Sequence, residues 1–305
     1  MRIAVTGATG VIGTTVVRAL VASGHDVVGV ARTPRKAALL HEMGAESSRT
    51  SMFDPDGLAE MFAGCDVVCS FATHVPVGYA AAWPASWREH DWLRTEGVRR
   101  VIDAAREAGV RRVVQESVSC MYAGNGDGWI TEDSALGINR ATEPASVGES
   151  HVQRFQCGSR QGVVLRFGTI VGDDPLTSWL LRSVQRGRPI GIGSPGHWAH
   201  VVHTDDLGPA VVAALEAPSG VYNVGAEPVR WDHYLKGMAD AVGKESGDFM
   251  GPLLRRLAGT RVEPLTRSLR VSSDHFVAQT GWASRRPVFD ESWFDALRMK
   301  SQALS

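Results

Sequence analysis

The sequence predicts an α/β fold in which a doubly wound, Rossmann-type parallel sheet carries a smaller C-terminal substrate lobe. Short, nearly continuous apolar runs alternate with helical stretches through the first half of the chain. This alternation is typical of a parallel sheet that helices cover on both faces. After Gly168 the alternation loosens and prolines become frequent. We therefore expect a nucleotide-binding domain at 1–170 and a substrate lobe packed on it at 171–305, with 200–225 returning to the main domain.

The composition is that of a globular enzyme. The chain has 305 residues, of which 44% are hydrophobic and 21% charged, and its formal net charge is −1. These values exclude a disordered or fibrous protein, and they give no basic field that would attract nucleic acid or an anionic membrane. Four cysteines are too few for a disulfide scaffold, and their spacing fits no zinc site, so we predict no metal.

The sequence also bears on location and assembly. No apolar run is long enough to cross a bilayer, and the first apolar strand begins directly after Met1, which leaves no room for a signal peptide. We therefore expect a cytoplasmic protein that acts on a small molecule, without a nucleic-acid or membrane partner, as a monomer or a homodimer.

A glycine-rich turn, TGATGVIG at 6–13, separates the first strand from the first helix. In this context Gly7 permits a tight turn, Gly10 lets the backbone approach a pyrophosphate, and Gly13 allows close helix–strand packing. The helix N-terminus adds amide donors and the positive end of its dipole. The turn thus predicts a dinucleotide-binding loop whose contact residues are Gly7, Thr9, Gly10, Val11, Ile12 and Gly13.

The end of the second strand favours NADP(H). An acidic residue there would bind the adenosine ribose of NAD, but this strand ends in Arg32, and Arg35 and Lys36 follow. A guanidinium can bind a 2′-phosphate through two hydrogen bonds, so we predict that Arg32 and Arg35 contact that group. Asp54, after the third strand, is predicted to accept from the adenine amino group. The alternative is a basic helix start that faces only water.

Several segments resemble the extended short-chain dehydrogenase/reductase family, in its epimerase/dehydratase branch. They are TGATGVIG, GCDVVCSFAT at 64–73, the stretch 95–117, VVLRFGTIVG at 163–172, HVVHTDDLGPAVVAALE at 200–216 and GVYNVG at 220–225. The resemblance implies that the nicotinamide lies among Phe71, Ala72, Thr73, Ser117, Phe167, Gly168, Thr169 and Ile170.

The catalytic pair of that family is missing. The family has Tyr-x-x-x-Lys on the helix after the central strand, where this sequence has Val147 and His151, and Val118 stands at the strand position of its serine or threonine. No tyrosine in the chain is followed four residues later by a lysine. Residues four apart on a helix share a face, so we expect Val147 and His151 to face the cofactor.

Ketone reduction then needs another acid, because hydride addition produces a strongly basic alkoxide. His151 could titrate in the right range, although its position favours binding of the nicotinamide ribose over proton donation. Ser119 and Tyr122 are the other catalytic candidates, and Tyr122 is more typical of a structural residue. The remaining donor is the substrate, since a phenol hydrogen-bonded to the ketone can pass its proton to the alkoxide.

Aromatic residues after Ala72 suit a flat, apolar ligand. The predicted substrate contacts are His74, Tyr79, Trp83, Trp87, Val118, Met121, Val147 and Trp198. The alternative is that the tryptophans pack in the core or in a lid. Together with the missing tyrosine, this loop resembles the tyrosine-deficient reductases that act on aromatic polyketides, the angucyclinone ketoreductases of the simocyclinone type, and implies a role in antibiotic biosynthesis.

The sequence thus predicts an NADPH-dependent ketoreductase for a bulky, polyketide-like aromatic substrate, with the proton supplied by a substrate phenol or by water. Two alternatives stay open: a non-redox epimerase, dehydratase or cyclase that retains NADP, and an inactive protein that senses NADP(H). The helix bearing Arg94, Arg99, Arg100 and Arg106 is expected to be solvated, which argues against the dimer usual in this family.

Overall fold

A computed structural model describes residues 1–251 and 260–303, with side chains described as far as residue 299. The strands within these residues are β1 (Arg2–Thr6), β2 (Asp26–Val30), β3 (Glu46–Ser48), β4 (Val67–Ser70), β5 (Arg112–Val118), β6 (Gln161–Phe167), β7 (Thr169–Val171), β8 (Trp198–Ala199), β9 (Val201–His203), β10 (Gly220–Val224) and β11 (Val229–Arg230).

Seven of these strands form the central sheet in the order β10-β6-β5-β4-β1-β2-β3. Each neighbouring pair in it is parallel. The order reverses between β4 and β1, which leaves a crevice at the carboxyl ends of these strands. The sheet confirms the predicted fold class. Two small two-stranded sheets, β7 with β9 and β11 with β8, lie beside it.

Helices cover both faces of the sheet, as the apolar strands require. The helices are α1 (Val11–Ala22), α2 (Pro34–Glu42), α3 (Pro55–Phe62), α4 (Arg88–Trp92), α5 (Val98–Glu107), α6 (Glu143–Phe155), α7 (Pro175–Gln185), α8 (Thr204–Ala214), α9 (Trp231–Ala241), α10 (Asp274–Thr280) and α11 (Asp295–Ala303). A π-helical turn, Leu93–Gly97, joins α4 to α5. The helix expected to bear Arg94, Arg99, Arg100 and Arg106 is therefore composite, with Arg94 in the π-turn and the other three in α5.

Successive side chains of the strands point to opposite faces of the sheet, where they form two hydrophobic cores. Ile3 and Val5 of β1 point to the face covered by α1 and α8, whereas Ala4 points to the face covered by α3, α5 and α6. A third apolar cluster lies in the C-terminal part, where Trp293 and Phe294 pack against α9, which also packs against α7. Each face of the sheet is thus filled, and its carboxyl edge remains for a ligand.

Residues 200–225 lie against the main sheet. Helix α8 packs on α1 so closely that a Cβ atom on Gly208 would stand 2.6 Å from the carbonyl oxygen of Thr15. Strand β10 then pairs with β6. The division of the chain near residue 170 stays a prediction. Among the described helices, none combines the length and the hydropathy that crossing a bilayer requires.

Candidate functional site

A cleft of about 560 Å³ opens at the carboxyl ends of β1, β4, β5 and β6. Its volume lies in the range of small-molecule sites. One end is formed by the glycine-rich turn and the end of β2, and the other by residues that follow β5, β6 and β8. The cleft therefore runs across the crevice between β1 and β4, where doubly wound folds bind their ligands.

The glycine-rich turn packs as the sequence predicts. Gly7 adopts φ +68°, and a Cβ atom there would stand 2.5 Å from the backbone of Phe71. A Cβ atom on Gly13 would stand 2.1 Å from the carbonyl oxygen of Gly7. Residues Gly7, Thr9, Gly10, Val11 and Ile12 line the cleft, and Gly13 lies behind them as a packing residue. The backbone can therefore approach a phosphate at the start of α1.

Gly13→Ala is expected to lower both stability and NADPH affinity, because its methyl group would overlap the carbonyl oxygen of Gly7. Overpacking of this kind costs about 1–3 kcal/mol. Thermal unfolding and a fluorescence titration with NADPH measure the two effects. Gly220→Ala is the matched control, since its methyl group would make only ordinary contacts, 3.6 Å from the ring of Tyr222. Unchanged melting temperature and affinity in Gly13→Ala would contradict this account.

Two cations line the cleft at the end of β2, Arg32 and Lys36. Arg35 is exposed and is not part of the wall, whereas Lys36 is. Asp54 is not in the wall either. Its Oδ1 accepts from the backbone N–H of Gly57 at 3.0 Å and caps α3, which is the usual role of aspartate before a helix.

Phe53, next to Asp54, lines the cleft instead. Its ring stacks on Trp92 with 4.2 Å between centroids. Met52 lies beside it in the wall. The sequence predicted a polar contact to adenine in this loop and gave no indication of these two apolar residues.

The residues predicted to frame the nicotinamide are brought together. Phe71, Ala72 and Thr73 after β4, Ser117 in β5, and Phe167 to Ile170 at the end of β6 and the start of β7 line one stretch of the cleft. The hydroxyl of Ser117 is engaged elsewhere, since it donates to Glu149 Oε1 at 2.6 Å. The hydroxyl hydrogen of Ser117 is therefore not available to a ligand.

Helix α6 contributes no residue to the cleft wall within the described chain, contrary to the expectation for Val147 and His151. The side chain of Glu149 sets the rotation of the helix, because it is buried against β6 and accepts two hydrogen bonds from Arg166, at 2.9 and 2.7 Å. Positions two residues away on a helix lie on nearly the opposite side. Val147 and His151 therefore point away from the sheet.

His151 lies near charged residues of α5. Partial burial lowers the pKa of its imidazole, and the positive charge of Arg154 lowers it further, while Asp103 raises it. These neighbours belong to the surface between α5 and α6. The structure thus gives His151 no contact with the cleft, either as a proton donor or as a ligand of the cofactor ribose.

Tyr122 is fully buried and does not line the cleft. Its phenol accepts a hydrogen bond from Arg166 Nη1 at 2.7 Å and donates to Asn223 Oδ1 at 2.9 Å. Burial raises the pKa of the phenol above its ordinary value. Met121 is also fully buried, with its sulfur 3.9 Å from Ser117 Oγ. Neither residue can contact a substrate, which corrects two of the predicted site residues.

Ser119 does line the cleft, and its hydroxyl lies 2.8 Å from Nδ1 of His200, which lines it too. Burial lowers the pKa of His200 to about 3, so its ring is neutral. The sequence contained no signal for this pair, because 81 residues separate the two and no periodic pattern links them.

A buried ion pair forms another part of the wall. Arg94 Nη2 donates to Glu116 Oε2 at 3.0 Å, and Arg94 Nε donates to His90 Nε2 at 3.1 Å. Burial raises the pKa of Glu116, and the charge of Arg94 acts against this. Arg94 lies in the π-turn, which directs it inward, so the expectation that it is solvated with the rest of its helix is wrong.

The aromatic loop largely faces outward. Tyr79 and Trp83 are 67% and 69% exposed, and Trp87 donates from Nε1 to the carbonyl oxygen of Ala81 at 2.8 Å. None of the three lines the cleft. Two short 3-10 turns, Gly78–Ala82 and Pro84–Trp87, direct these rings away from it. This corrects three predicted substrate contacts, and the exposure of Tyr79 and Trp83 shows that these two rings do not pack in the core either.

His74, Val118 and Trp198 do line the cleft, and Trp231 joins them. Two guanidinium groups lie over the indole of Trp198, with Arg230 at 4.1 Å and Arg270 at 4.7 Å from its centroid. Its Nε1 donates to Asp127 Oδ1 at 2.9 Å. These contacts hold Trp198 in place as part of the cleft wall.

The chain belongs to the NAD dependent epimerase/dehydratase family, whose sequence profile matches residues 3–225. Membership supports a nicotinamide dinucleotide as the cofactor, and the cradle formed by Gly7 and Gly13 with the cations at the end of β2 fits one. In the described ranges no three His, Cys, Asp or Glu side chains are grouped to hold a metal ion.

Among proteins of known name, the chain is similar to a 3-diazoavenalumate denitrifying reductase from Streptomyces sp. The two are 29% identical over 97% of this chain and 99% of that protein. Among solved structures it is similar to human epimerase family protein SDR39U1 with NADPH, at 22% identity and a TM-score of 0.79 over 96% of this chain and 98% of that one. It is also similar to MoeE5 in complex with UDP-glucose and NAD, at 22% identity and a TM-score of 0.76 over the whole of both chains. These structures confirm the fold.

Proposed function

We propose that this protein is an NADPH-dependent ketoreductase that transfers a hydride to a carbonyl of a bulky aromatic substrate. The observation that carries the proposal is the make-up of the cleft wall. It has a phosphate loop and two cations at one end, aromatic side chains at the other, and, among the described lining residues, no tyrosine. When bound, NADPH supplies a hydride from its nicotinamide ring.

Different stretches of the cleft wall would bind different parts of the cofactor and the substrate. The turn Gly7–Gly13 binds the pyrophosphate through its backbone, and Arg32 with Lys36 binds the 2′-phosphate. Residues 71–73 and 167–170 hold the nicotinamide, and the apolar part of the wall around Trp198 receives the substrate rings. An aromatic ligand bound there would lie next to the residues that would hold the nicotinamide.

The proton comes from the substrate or from water. Hydride addition to the carbonyl carbon moves the C=O π pair onto oxygen, and the alkoxide must then be protonated. The titratable groups nearest this end of the cleft suit that role poorly, since Glu116 is held in an ion pair and His200 is neutral. A phenol next to the ketone can give up its proton, and the phenolate left behind is reprotonated from water.

A second candidate is the reductive removal of dinitrogen from an aromatic diazo compound. The observation that favours it is the similarity, over nearly the full length of both chains, to a denitrifying reductase. In this reaction a hydride joins the aryl carbon and the C–N bonding pair leaves with N₂, so that ArN₂⁺ and hydride give ArH and N₂. No alkoxide forms and no acid is required, which also accounts for a site without the catalytic tyrosine.

One experiment separates the two reactions. The protein is incubated with deuterated NADPH and either aryl ketones with and without an adjacent hydroxyl, or an ortho-hydroxy aryl diazonium salt. Deuterium on the carbinol carbon, only with the hydroxyl-bearing ketones, would support the ketoreductase. Deuterium on the ring carbon with release of N₂, and inert ketones, would support the second candidate. Tight NADPH binding without oxidation by any compound would contradict both and favour a non-redox enzyme or an NADP(H) sensor.

A further inference from the structure

The pairing of Ser119 with His200 raises the question of which group donates the hydrogen bond. Ser119 follows β5 directly, and His200 lies between β8 and β9. The carbonyl oxygen of His200 accepts from the N–H of Thr169 at 2.8 Å, which fixes its backbone beside the predicted nicotinamide position. Ser119 and His200 are each only 2% exposed, and both line the cleft.

The other imidazole nitrogen of His200 answers the question. Its Nε2 is buried and has no hydrogen-bond partner in the part of the chain that the structure describes. A Cβ atom on Gly225 would stand only 2.1 Å from it. The α-carbon of Gly225 carries a hydrogen in that direction. A hydrogen on Nε2 would collide with it. A lone pair on Nε2 fits there, so the single proton of the neutral ring resides on Nδ1.

That tautomer determines the role of Ser119. With Nδ1 protonated, His200 donates to Ser119 Oγ across the 2.8 Å contact. A serine hydroxyl that accepts one hydrogen bond still has its own hydrogen to donate. Within the described residues, His200 is the one side-chain partner recorded for Ser119 Oγ. The hydroxyl hydrogen is therefore available to a ligand in the cleft.

We propose that His200, held against Gly225, is a positioning residue that directs the hydroxyl hydrogen of Ser119 toward the carbonyl oxygen of the substrate. This rests on the proposed ketone reduction. As hydride from NADPH reaches the carbonyl carbon, negative charge develops on that oxygen, and the Ser119 hydroxyl stabilises it by a hydrogen bond. Ser119 does not supply the proton, which still comes from the substrate phenol or from water.

The tautomer is tested by nitrogen NMR on the full-length protein with ¹⁵N-labelled histidine, without substrate. The His200 resonances are identified by their loss in His200→Asn. We expect a ring with protonated Nδ1 and bare Nε2 at neutral pH. A spectrum with a protonated Nε2 would overturn the proposal, because Ser119 would then donate to His200 and have no hydrogen for the substrate.

Kinetics test the role in the reaction. Ser119→Ala is expected to lower kcat about 100-fold, as the removal of one oxyanion-binding donor does, with little change in KM. His200→Phe should fall to the same level, and the double variant should fall no further, because both remove one interaction. His200→Asn can donate from its amide in place of Nδ1 and should recover most of the activity. His233→Asn, at an exposed position of α9, is the control.

The outcomes are distinct. A kcat of Ser119→Ala close to that of the wild type would overturn the proposal, and so would losses in the double variant that multiply. If His200→Phe does not fold, the activity of His200→Asn and the nitrogen spectrum of the wild type still test the proposed role of His200. A wild type that reduces no ketone would contradict the proposed function, whereas the spectrum would still decide the hydrogen-bond arrangement.

Discussion

Replacing Glu149 by alanine is expected to lower the free energy of unfolding by about 3–5 kcal/mol, the range measured when one partner of a buried ion pair is removed. Glu149 and Arg166 are both about 95% buried, and two hydrogen bonds join them. The variant would leave the guanidinium of Arg166 in the interior without its counter-charge. Ser117 would also lose its acceptor.

Urea unfolding of the wild type and the variant measures this loss. Glu107→Ala is the matched control, since Glu107 is an exposed glutamate at the end of α5, and surface changes of this kind shift stability by about 0.5 kcal/mol or less. Changing Glu149 and Arg166 together to methionine should cost less than Glu149→Ala, because no unpaired charge remains. A loss below about 1 kcal/mol in Glu149→Ala would contradict the assigned ion pair.

Arg32→Ala is expected to weaken NADPH binding without affecting NADH. A hydrogen bond to a charged group contributes about 1.5–3 kcal/mol, so the dissociation constant for NADPH should rise about 10- to 100-fold. Lys36 lies in the same wall and retains part of the attraction, so Arg32→Ala/Lys36→Ala should lose more than either single variant. Fluorescence titration with the two nucleotides gives both constants.

Arg35→Ala is the matched control for this prediction. Arg35 is the same residue type three positions on, and it is exposed and absent from the cleft wall. Its removal should leave both dissociation constants within about twofold, because an exposed charge outside the site is largely screened. An equal loss of NADPH affinity in Arg32→Ala and Arg35→Ala would contradict the assignment of Arg32 to the 2′-phosphate. So would a preference for NADPH over NADH that is unchanged in both variants.

The first βαβ unit was predictable because its signals are local. The tight turn at Gly7 and the close approach at Gly13 depend on backbone sterics within a few residues, and the structure has both. The alternation of apolar strands and helices also sets which faces are buried, so the parallel sheet could be predicted from periodicity. The absence of a Tyr-x-x-x-Lys pair is a property of the sequence itself.

The end of the cleft proposed to hold the nicotinamide and the substrate was not predictable in the same way. The rotation of α6 follows from a contact between Glu149 and Arg166, two residues on different elements. The aromatic loop turns Tyr79 and Trp83 outward through two short 3-10 turns that have no strong periodic signal. The direction of these two side chains depends on how the rest of the chain packs around the loop.

The sequence by itself determined the α/β fold class, the glycine-rich turn at the start of α1 and the cations at the end of β2, because each depends on neighbours in the chain. Only the tertiary structure decided which side chains line the cleft beyond the glycine-rich turn and the end of β2. Ser119 and His200 meet across 81 residues, and Arg94 turns inward at a π-turn. Such contacts arise when separate elements pack together, and packing partners far apart in the chain leave no periodic pattern in the sequence.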